Sequence, residues 1–293
     1  KPKFKNNWKN YSFTENTKII RRIKDAHIIV TNKTKLDQLT LKHAKNLELI
    51  AITATGTNII DLNYCKENMI KVCNLKNYAS VSVAEHVFTL ILILYKQIKG
   101  LEKDIKKNIW QKKRVFALLD RQISDLHGKN IGIIGKGSIG RQVSKIAKAF
   151  NMNVNFFSAR DINSTKFKKF LTKNDIITIH CPLEKSTSNL ITIRELRLMK
   201  KSSIIINTAR GGIINEKDLV AAISKKMIAG AGIDVATTEP PKKNHPYYSI
   251  NNKTNFIWTP HTAWASDETL NRAVKQLIDN INSFYLNRPK NLV

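Results

Sequence analysis

Cysteine is scarce in this chain of 293 residues, and the three present, Cys65, Cys73 and Cys181, include no C-x-x-C pair. The odd count excludes a fully paired disulfide framework, and the spacing argues against a zinc site. Three reduced thiols are expected, with Cys181 as strand core, and no metal. Long apolar runs are missing too. The densest, Val87 to Leu94, is too short to span a bilayer, and the lysine-rich start has no signal-peptide core. The expectation is a soluble, cytoplasmic protein with no membrane partner. Acidic residues are few, 22 against 50 basic ones, for a formal charge of +28. Such an excess raises nucleic acid as a partner. The lysines are spread along the whole length, however, with many asparagines and isoleucines and no dense basic run interleaved with aromatics. A bias in residue usage explains this better, so nucleic-acid binding ranks last, although anionic small molecules would still be attracted. There is no initiator methionine, and processing or truncation is the expectation.

The stretch that organises the chain is GKNIGIIGKGSIGRQVSKIAKAF, residues 128 to 150. Ile131 to Ile134 read as a buried strand. Gly135, Gly137 and Gly140 follow in G-x-G-x-x-G spacing, and a helix then carries Ile139, Val143, Ile146 and Ala147 on one side. Strand, tight turn and helix in that order fit a dinucleotide. Gly135 permits the turn, Gly137 lets backbone approach a pyrophosphate, and Gly140 lets helix and strand pack closely.

The length exceeds that of a usual single core, so two domains are expected. Residues 1 to 79 alternate strand-like runs at 28–31, 47–52 and 70–73 with a helix near 36–45, which predicts a parallel sheet with helices on its faces. ATGTNIID, residues 54 to 61, holds Gly56 at a strand's end, where backbone N–H groups would receive an anion or form a plain turn. Residues 82 to 98 read as a long buried linker helix, capped by Ser82 with Glu85 completing a capping box and apolar nearly all round. A subunit interface is a further place for it, and His86 on it reads as packed rather than catalytic. Further strands are expected at 131–134, 154–157, 176–180, 203–207, 230–234 and 256–259, a six-strand doubly wound sheet. A last helix, 268–286, would bury Leu270, Ala273, Val274, Leu277, Ile278, Ile281 and Phe284.

In open α/β sheets ligands bind beyond the carboxyl ends of the strands. Three successive strand ends carry NTARGGIINE, DVATTEPP and TPHTAWAS, and so deliver Arg210, Glu239 and His261 to one edge. Arg210 can fork onto a carboxylate and polarise the adjacent carbonyl. An imidazole is the side chain suited to exchanging a proton near neutral pH, so His261 can donate one to an alkoxide. Glu239 would accept the other ring N–H and orient the ring. Beside a dinucleotide, these are the parts needed to reduce a 2-keto acid.

These words, with TNKTKLD, SVSVAEHVF, HCPLEKST and the tail NRPKNLV, make the chain similar over nearly its whole length to the D-isomer-specific 2-hydroxyacid dehydrogenases, and within them to the glycerate dehydrogenases, or hydroxypyruvate reductases. The resemblance implies an α/β chain of two domains: a central Rossmann-type doubly wound parallel sheet at 80–264, and a smaller flavodoxin-like substrate domain from both termini, 1–79 and 265–293. It implies a homodimer, a small 2-keto acid substrate, and Arg210, Glu239 and His261 as the catalytic residues. Cofactor contacts would fall on Gly135, Lys136, Gly137, Ser138, Ile139, Gly140, Ser158, Ala159, Arg160, Cys181, Pro182, Thr187, Thr208, Ala209, Asp234 and Val235, with Asp234 meeting the nicotinamide amide. The backbone at Thr55, Gly56 and Thr57 would hold the substrate carboxylate, and Trp264 and the Tyr78 region would shape its pocket or simply pack. The family's usual start, a strand and helix, lies before Lys1, so part of the substrate domain is expected to be missing. KNYAS, residues 76 to 80, lacks the glycine usual before that tyrosine, which leaves the hinge geometry open. Glu239 in place of glutamine speaks against the formate dehydrogenase branch, and the ending at Val293 against the longer phosphoglycerate dehydrogenases.

An NAD-specific fold needs an acid about 20 residues after the glycines, but the second strand of this sheet ends in FFSARD, with Ser158 at that place and Arg160 beside it. A hydroxyl and a guanidinium would bind a 2′-phosphate, so NADP(H) is favoured over NAD(H). Two alternatives stay open: Asp161 reaching back to the ribose, and Arg160 stacking on adenine. The competing function is a dinucleotide-sensing scaffold of the corepressor kind, which turnover alone would separate from an enzyme.

Overall fold

The computed structural model describes residues 1–159, 161 and 165–293. It divides into two compact units, Lys1–Tyr78 with Ser266–Val293, and Ala79–Ala265.

The smaller unit is built on three parallel strands in the order β1 (Ile28–Thr31), β2 (Leu49–Ile52), β3 (Lys71–Cys73). The central β2, LIAI, has no polar residue and is buried throughout, as a strand covered on both faces requires. The helix expected near 36–45 is only Gln38–Leu41. Asp37 caps it by accepting from Thr40 N, and short-range turns replace the helix after Lys42. The last helix, Asp267–Tyr285, lays Leu277 and Ile281 against Leu49, Ala51 and Cys73. Leu270 and Val274, expected to be buried, are exposed. The stripe covered by the sheet is narrower than the apolar face of the helix, and the buried Asn280 takes part of it, donating through Nδ2 to the Asn74 carbonyl at 3.1 Å.

The larger unit holds six parallel strands: β4 (Asn130–Ile134), β5 (Asn153–Phe157), β6 (Ile176–Ile179), β7 (Ile204–Asn207), β8 (Gly230–Ile233) and β9 (Phe256–Trp258). Their order is β5-β4-β6-β7-β8-β9, so the winding reverses beside β4, where ligands of open sheets collect. One face is covered by Phe170, Leu196, Leu219 and Tyr247. The other is covered by Val87, Ile91 and Leu94 of the long helix together with Val143 and Ala147.

The long helix runs Ser80–Tyr95, two residues earlier at its start than expected, with Ala79 at its N-cap and no side-chain cap. Ser82 therefore lies inside the first turn, where its hydroxyl donates to the Ala263 carbonyl at 2.8 Å, and the Ser82–Glu85 capping box does not form. Nor is the helix covered all round: Val81, Glu85 and Thr89 leave one exposed ridge at helical spacing. Gln97 then turns left-handed at φ 54°, and a second helix, Ile98–Lys106, departs at 53°. Among the described residues no single helix is long and apolar enough to cross a membrane. Beyond the bend, Arg121 forks onto Asp104 at 2.5 and 2.8 Å, pinning an arm that exposes Ile105, Trp110, Phe116 and Leu119. All three cysteines are free and buried.

Candidate active site

β4 runs into Gly135 at φ +104°, a conformation residues with a Cβ rarely adopt. A Cβ on Gly135 would lie 2.7 Å from the His180 carbonyl oxygen, and one on Gly140 would lie 2.2 Å from the Gly135 oxygen. Only glycine lets this turn close. Gly137 differs: a Cβ there would meet open space, and it opens the Ser138–Ala149 helix with no side chain capping it. The first-turn N–H groups are thus left for an external anion. At the end of β7, the Thr208 hydroxyl is buried with no hydrogen-bond partner among the described residues, an orphan that a ligand would satisfy. Both observations fit a dinucleotide lying across the strand ends, held by the Gly135–Gly140 turn and by Thr208.

Lys136 directs its ammonium toward β5, 5.6 Å from the centre of the Phe156 ring. Ser158 follows β5 and is exposed, and its carbonyl accepts the Asp161 N–H at 3.1 Å, which turns Asp161 back toward it. Arg160, on which the 2′-phosphate reading leans, lies outside the described residues. Cys181 is buried after β6, and burial pushes its thiol up to about 11, which suits core rather than nucleophile. Thr187 closes its own loop, its hydroxyl 2.7 Å from the Pro182 carbonyl. Ala159 and Ala209 pack at the edge of the core, and Val235 is buried. Among the described residues no group of three or more His, Cys, Asp or Glu could hold a metal ion.

Arg210, Glu239 and His261 follow β7, β8 and β9. The turn bearing Arg210 is shaped by the buried Asn207, whose Nδ2 donates to Arg210 O at 2.9 Å while its Oδ1 accepts from Ala209 N at 3.0 Å. A Cβ on the next residue, Gly211, would lie 2.0 Å from the Ala236 carbonyl carbon. The Arg210 turn and the loop leading to Glu239 therefore touch backbone to backbone. Glu239 accepts the Ala236 N–H at 2.9 Å through Oε1 and meets His261 Nδ1 at 2.5 Å through Oε2. With Nδ1 occupied, Nε2 is the ring nitrogen left for chemistry. Arg210 is exposed, and its Nη1 donates to the Ala209 carbonyl at 2.7 Å.

His261 sits at φ +56°, strained for a residue with a side chain, and a buried carboxylate holds it there. Asp234 Oδ1 accepts the Thr259 hydroxyl at 2.5 Å and Thr262 N at 3.0 Å, Oδ2 accepts Ala263 N at 3.0 Å, and the Asp234 carbonyl accepts His261 N at 2.8 Å. Sequence reasoning assigned Asp234 to a nicotinamide amide and missed that its carboxylate shapes the turn carrying His261. It also missed Asn207, and Glu216, whose Oε1 accepts Thr237 N at 2.7 Å in the Glu239 loop. Nothing in a single aspartate or asparagine at a strand end distinguishes such a role beforehand.

In the smaller unit, Thr55, Gly56 and Thr57 lie on the loop after β2. Thr55 O accepts Asn74 Nδ2 at 2.7 Å and Thr57 O accepts Ile60 N at 2.9 Å. Tyr78 packs beside Leu277 and Ile281 in that unit, and Trp264, in the larger one, is half-buried.

The sequence profile of the family described as "D-isomer specific 2-hydroxyacid dehydrogenase, NAD binding domain" matches residues 88–263. A glycerate dehydrogenase of Methylorubrum extorquens is 37% identical over 292 residues, which are 99% of this chain and 93% of that protein. Among solved structures, an acyclic imino acid reductase in complex with NADPH and D-Arg superposes with a TM-score of 0.83 at 30% identity, covering 97% of this chain and 91% of the other. A D-lactate dehydrogenase of Aquifex aeolicus, complexed with NAD and lactic acid, gives a TM-score of 0.80 at 28% identity, covering 92% of this chain and 86% of the other.

Proposed function

The chain belongs to the D-isomer-specific 2-hydroxyacid dehydrogenase family, NAD(P)-dependent oxidoreductases of small 2-hydroxy and 2-keto acids, and from that premise we propose that it reduces hydroxypyruvate to D-glycerate, and glyoxylate to glycolate. The observation that carries the reading is the 2.5 Å contact between His261 Nδ1 and Glu239, on a loop in backbone contact with the Arg210 turn. The glycerate dehydrogenase relative and the motif set favour this substrate among those of the family.

Arg210 pairs its planar guanidinium with the substrate carboxylate and polarises the neighbouring carbonyl. When bound, the reduced nicotinamide supplies the hydride for C2. His261 gives the Nε2 proton to the oxygen that becomes the alcohol, and Glu239 holds the ring so that Nε2 faces outward. The loop at Thr55, Gly56 and Thr57 offers backbone N–H groups to a carboxylate. NADP(H) is favoured over NAD(H) because Ser158 stands at the end of β5 where an acid would serve the ribose; Asp161, turned back toward Ser158, is the competing feature. The smaller unit is read as the flavodoxin-like substrate domain. Ile105, Trp110, Phe116 and Leu119 on the exposed arm support a homodimer. The free thiols fit the reducing cytoplasm.

The test is the initial rate of hydroxypyruvate reduction, run in parallel with NADPH and NADH. Faster turnover with NADPH is expected. Faster turnover with NADH overturns the cofactor reading, and no turnover with either overturns the substrate and moves the weight to other 2-keto acids or a scaffold. His261→Ala should lower kcat by about 10²–10⁴-fold with dinucleotide affinity retained, and unchanged turnover removes His261 from the chemistry.

A further inference from the structure

His86, half-buried on the Ser80–Tyr95 helix, places Nε2 3.0 Å from Thr259 Oγ1 and 3.6 Å from Asp234 Oδ1. Thr259 Oγ1 carries one proton and has three polar neighbours: Asp234 Oδ1 at 2.5 Å, His86 Nε2 at 3.0 Å and the Ile233 carbonyl at 3.4 Å. The carboxylate and the carbonyl only accept, and the carboxylate, by far the nearest, takes the hydroxyl proton. Of these three neighbours only His86 Nε2 can then donate to the lone pair left on Oγ1 of the half-buried Thr259. Were Nε2 bare, it would compete for the same hydroxyl proton and face the Asp234 carboxylate lone pair to lone pair. The geometry therefore fixes the tautomer, with the proton on Nε2.

We propose that His86 is a positioning residue for proton transfer: its Nε2–H donates to Thr259, which commits the Thr259 hydroxyl to Asp234 and so holds the turn that presents His261. The proposal rests on the reading of His261 as the proton donor. A second tie from the same helix supports it. Ser82, one helical turn before His86 and on the same face, donates through Oγ to Ala263 O at 2.8 Å, so the helix grips both ends of the turn 259–263. Burial lowers the His86 pKa below its ordinary value, against an opposing pull from Asp234. A neutral ring has one N–H to place, which makes the tautomer decisive.

His86→Leu should lower kcat for hydroxypyruvate about tenfold or more while KM for the dinucleotide stays within about twofold. His86→Gln, whose amide N–H reaches about as far as Nε2, should restore kcat to within about threefold of the parent. Combining His86→Leu with Thr259→Val should cost little beyond either change alone, since both break one chain. Unchanged kcat in His86→Leu, or a folded His86→Gln no better than His86→Leu, overturns the proposal. Nitrogen NMR of the histidine-labelled protein reads the tautomer without turnover. The Nε2–H form is expected, and the Nδ1–H form overturns the proposal even if hydroxypyruvate proves not to be the substrate.

Discussion

The turn after β4 and the turn after β9 end parallel strands of one sheet, and both hold a backbone that ordinary residues resist, Gly135 at φ +104° and His261 at φ +56°. They reach that state by opposite means. The first is shaped by missing atoms: the Gly135 oxygen and the His180 carbonyl stand where side chains of Gly140 and Gly135 would go. The second is shaped by hydrogen bonds that converge on a buried carboxylate, Asp234, with outside ties from Ser82 and His86, 181 and 173 residues away in sequence. A turn cut by sterics needs little from the rest of the chain. A turn drawn by polar groups depends on every partner being present, and a buried carboxylate at its centre makes that dependence severe.

Removing the centre is the largest perturbation of the pair. Asp234→Ala leaves the Thr259 hydroxyl and the Thr262 and Ala263 N–H groups without their acceptor. Ala263 N–H is the buried one, at about 1–3 kcal/mol for a buried unsatisfied group, and the other two are part-buried, so the loss should exceed ~2 kcal/mol and turnover should fall more than about 100-fold. Denaturant unfolding and kcat check both, and a loss under ~1 kcal/mol would mean that the turn stands without Asp234. On the steric side, Gly140→Ala sets a Cβ on the Gly135 oxygen, so the helix or the turn must shift at a cost of about 1–3 kcal/mol, and dinucleotide affinity should fall tenfold or more by titration calorimetry. Gly137→Ala sharpens the contrast. Its φ of −73° and ψ of −171° suit alanine, and the new Cβ meets open space. Stability should stay within ~0.5 kcal/mol while affinity falls, because that space is where the pyrophosphate would lie. A stable Gly137→Ala protein with full affinity would refute the anion reading of the turn.

The same difference explains what could be read beforehand. The glycine turn, β4 and the helix after it are coded within 23 consecutive residues, so period and spacing suffice. Arg210, Glu239 and His261 were legible because each follows a strand, and strand ends of a parallel sheet share an edge. Their supports were not. Ser82 reads as a cap by local rules, since serine before an apolar run with glutamate three residues on is a capping box. Tertiary structure instead starts the helix at Ser80 and spends the hydroxyl on Ala263. His86 reads as packing because its partner Thr259 is nowhere near it in sequence. Leu270 and Val274 fit an apolar stripe whose width only the covering sheet decides.

The smallest expected effect belongs to the histidine beneath the glycine turn. The His180 carbonyl oxygen stands 2.7 Å from where a Cβ on Gly135 would lie, and the His180 ring places Nε2 2.9 Å from Thr178 Oγ1, but its buried Nδ1 has no hydrogen-bond partner among the described residues. Where His86 has a carboxylate opposing the effect of burial, His180 has none, and burial holds its imidazole down at about 3. An unfolded histidine titrates near ~6.5. Below that pH the unfolded chain binds a proton that the folded chain refuses, so stability is complete above it and is lost as pH falls toward 3. Between pH 7 and pH 5.5 one such group accounts for about 1 kcal/mol. His180→Leu should remove that slope, read as a narrower gap between melting temperatures at the two pH values, while His86→Leu should change it less. If the two substitutions flatten the profile equally, the polar support under His261 and the apolar support under Gly135 do not differ in the way their geometry requires.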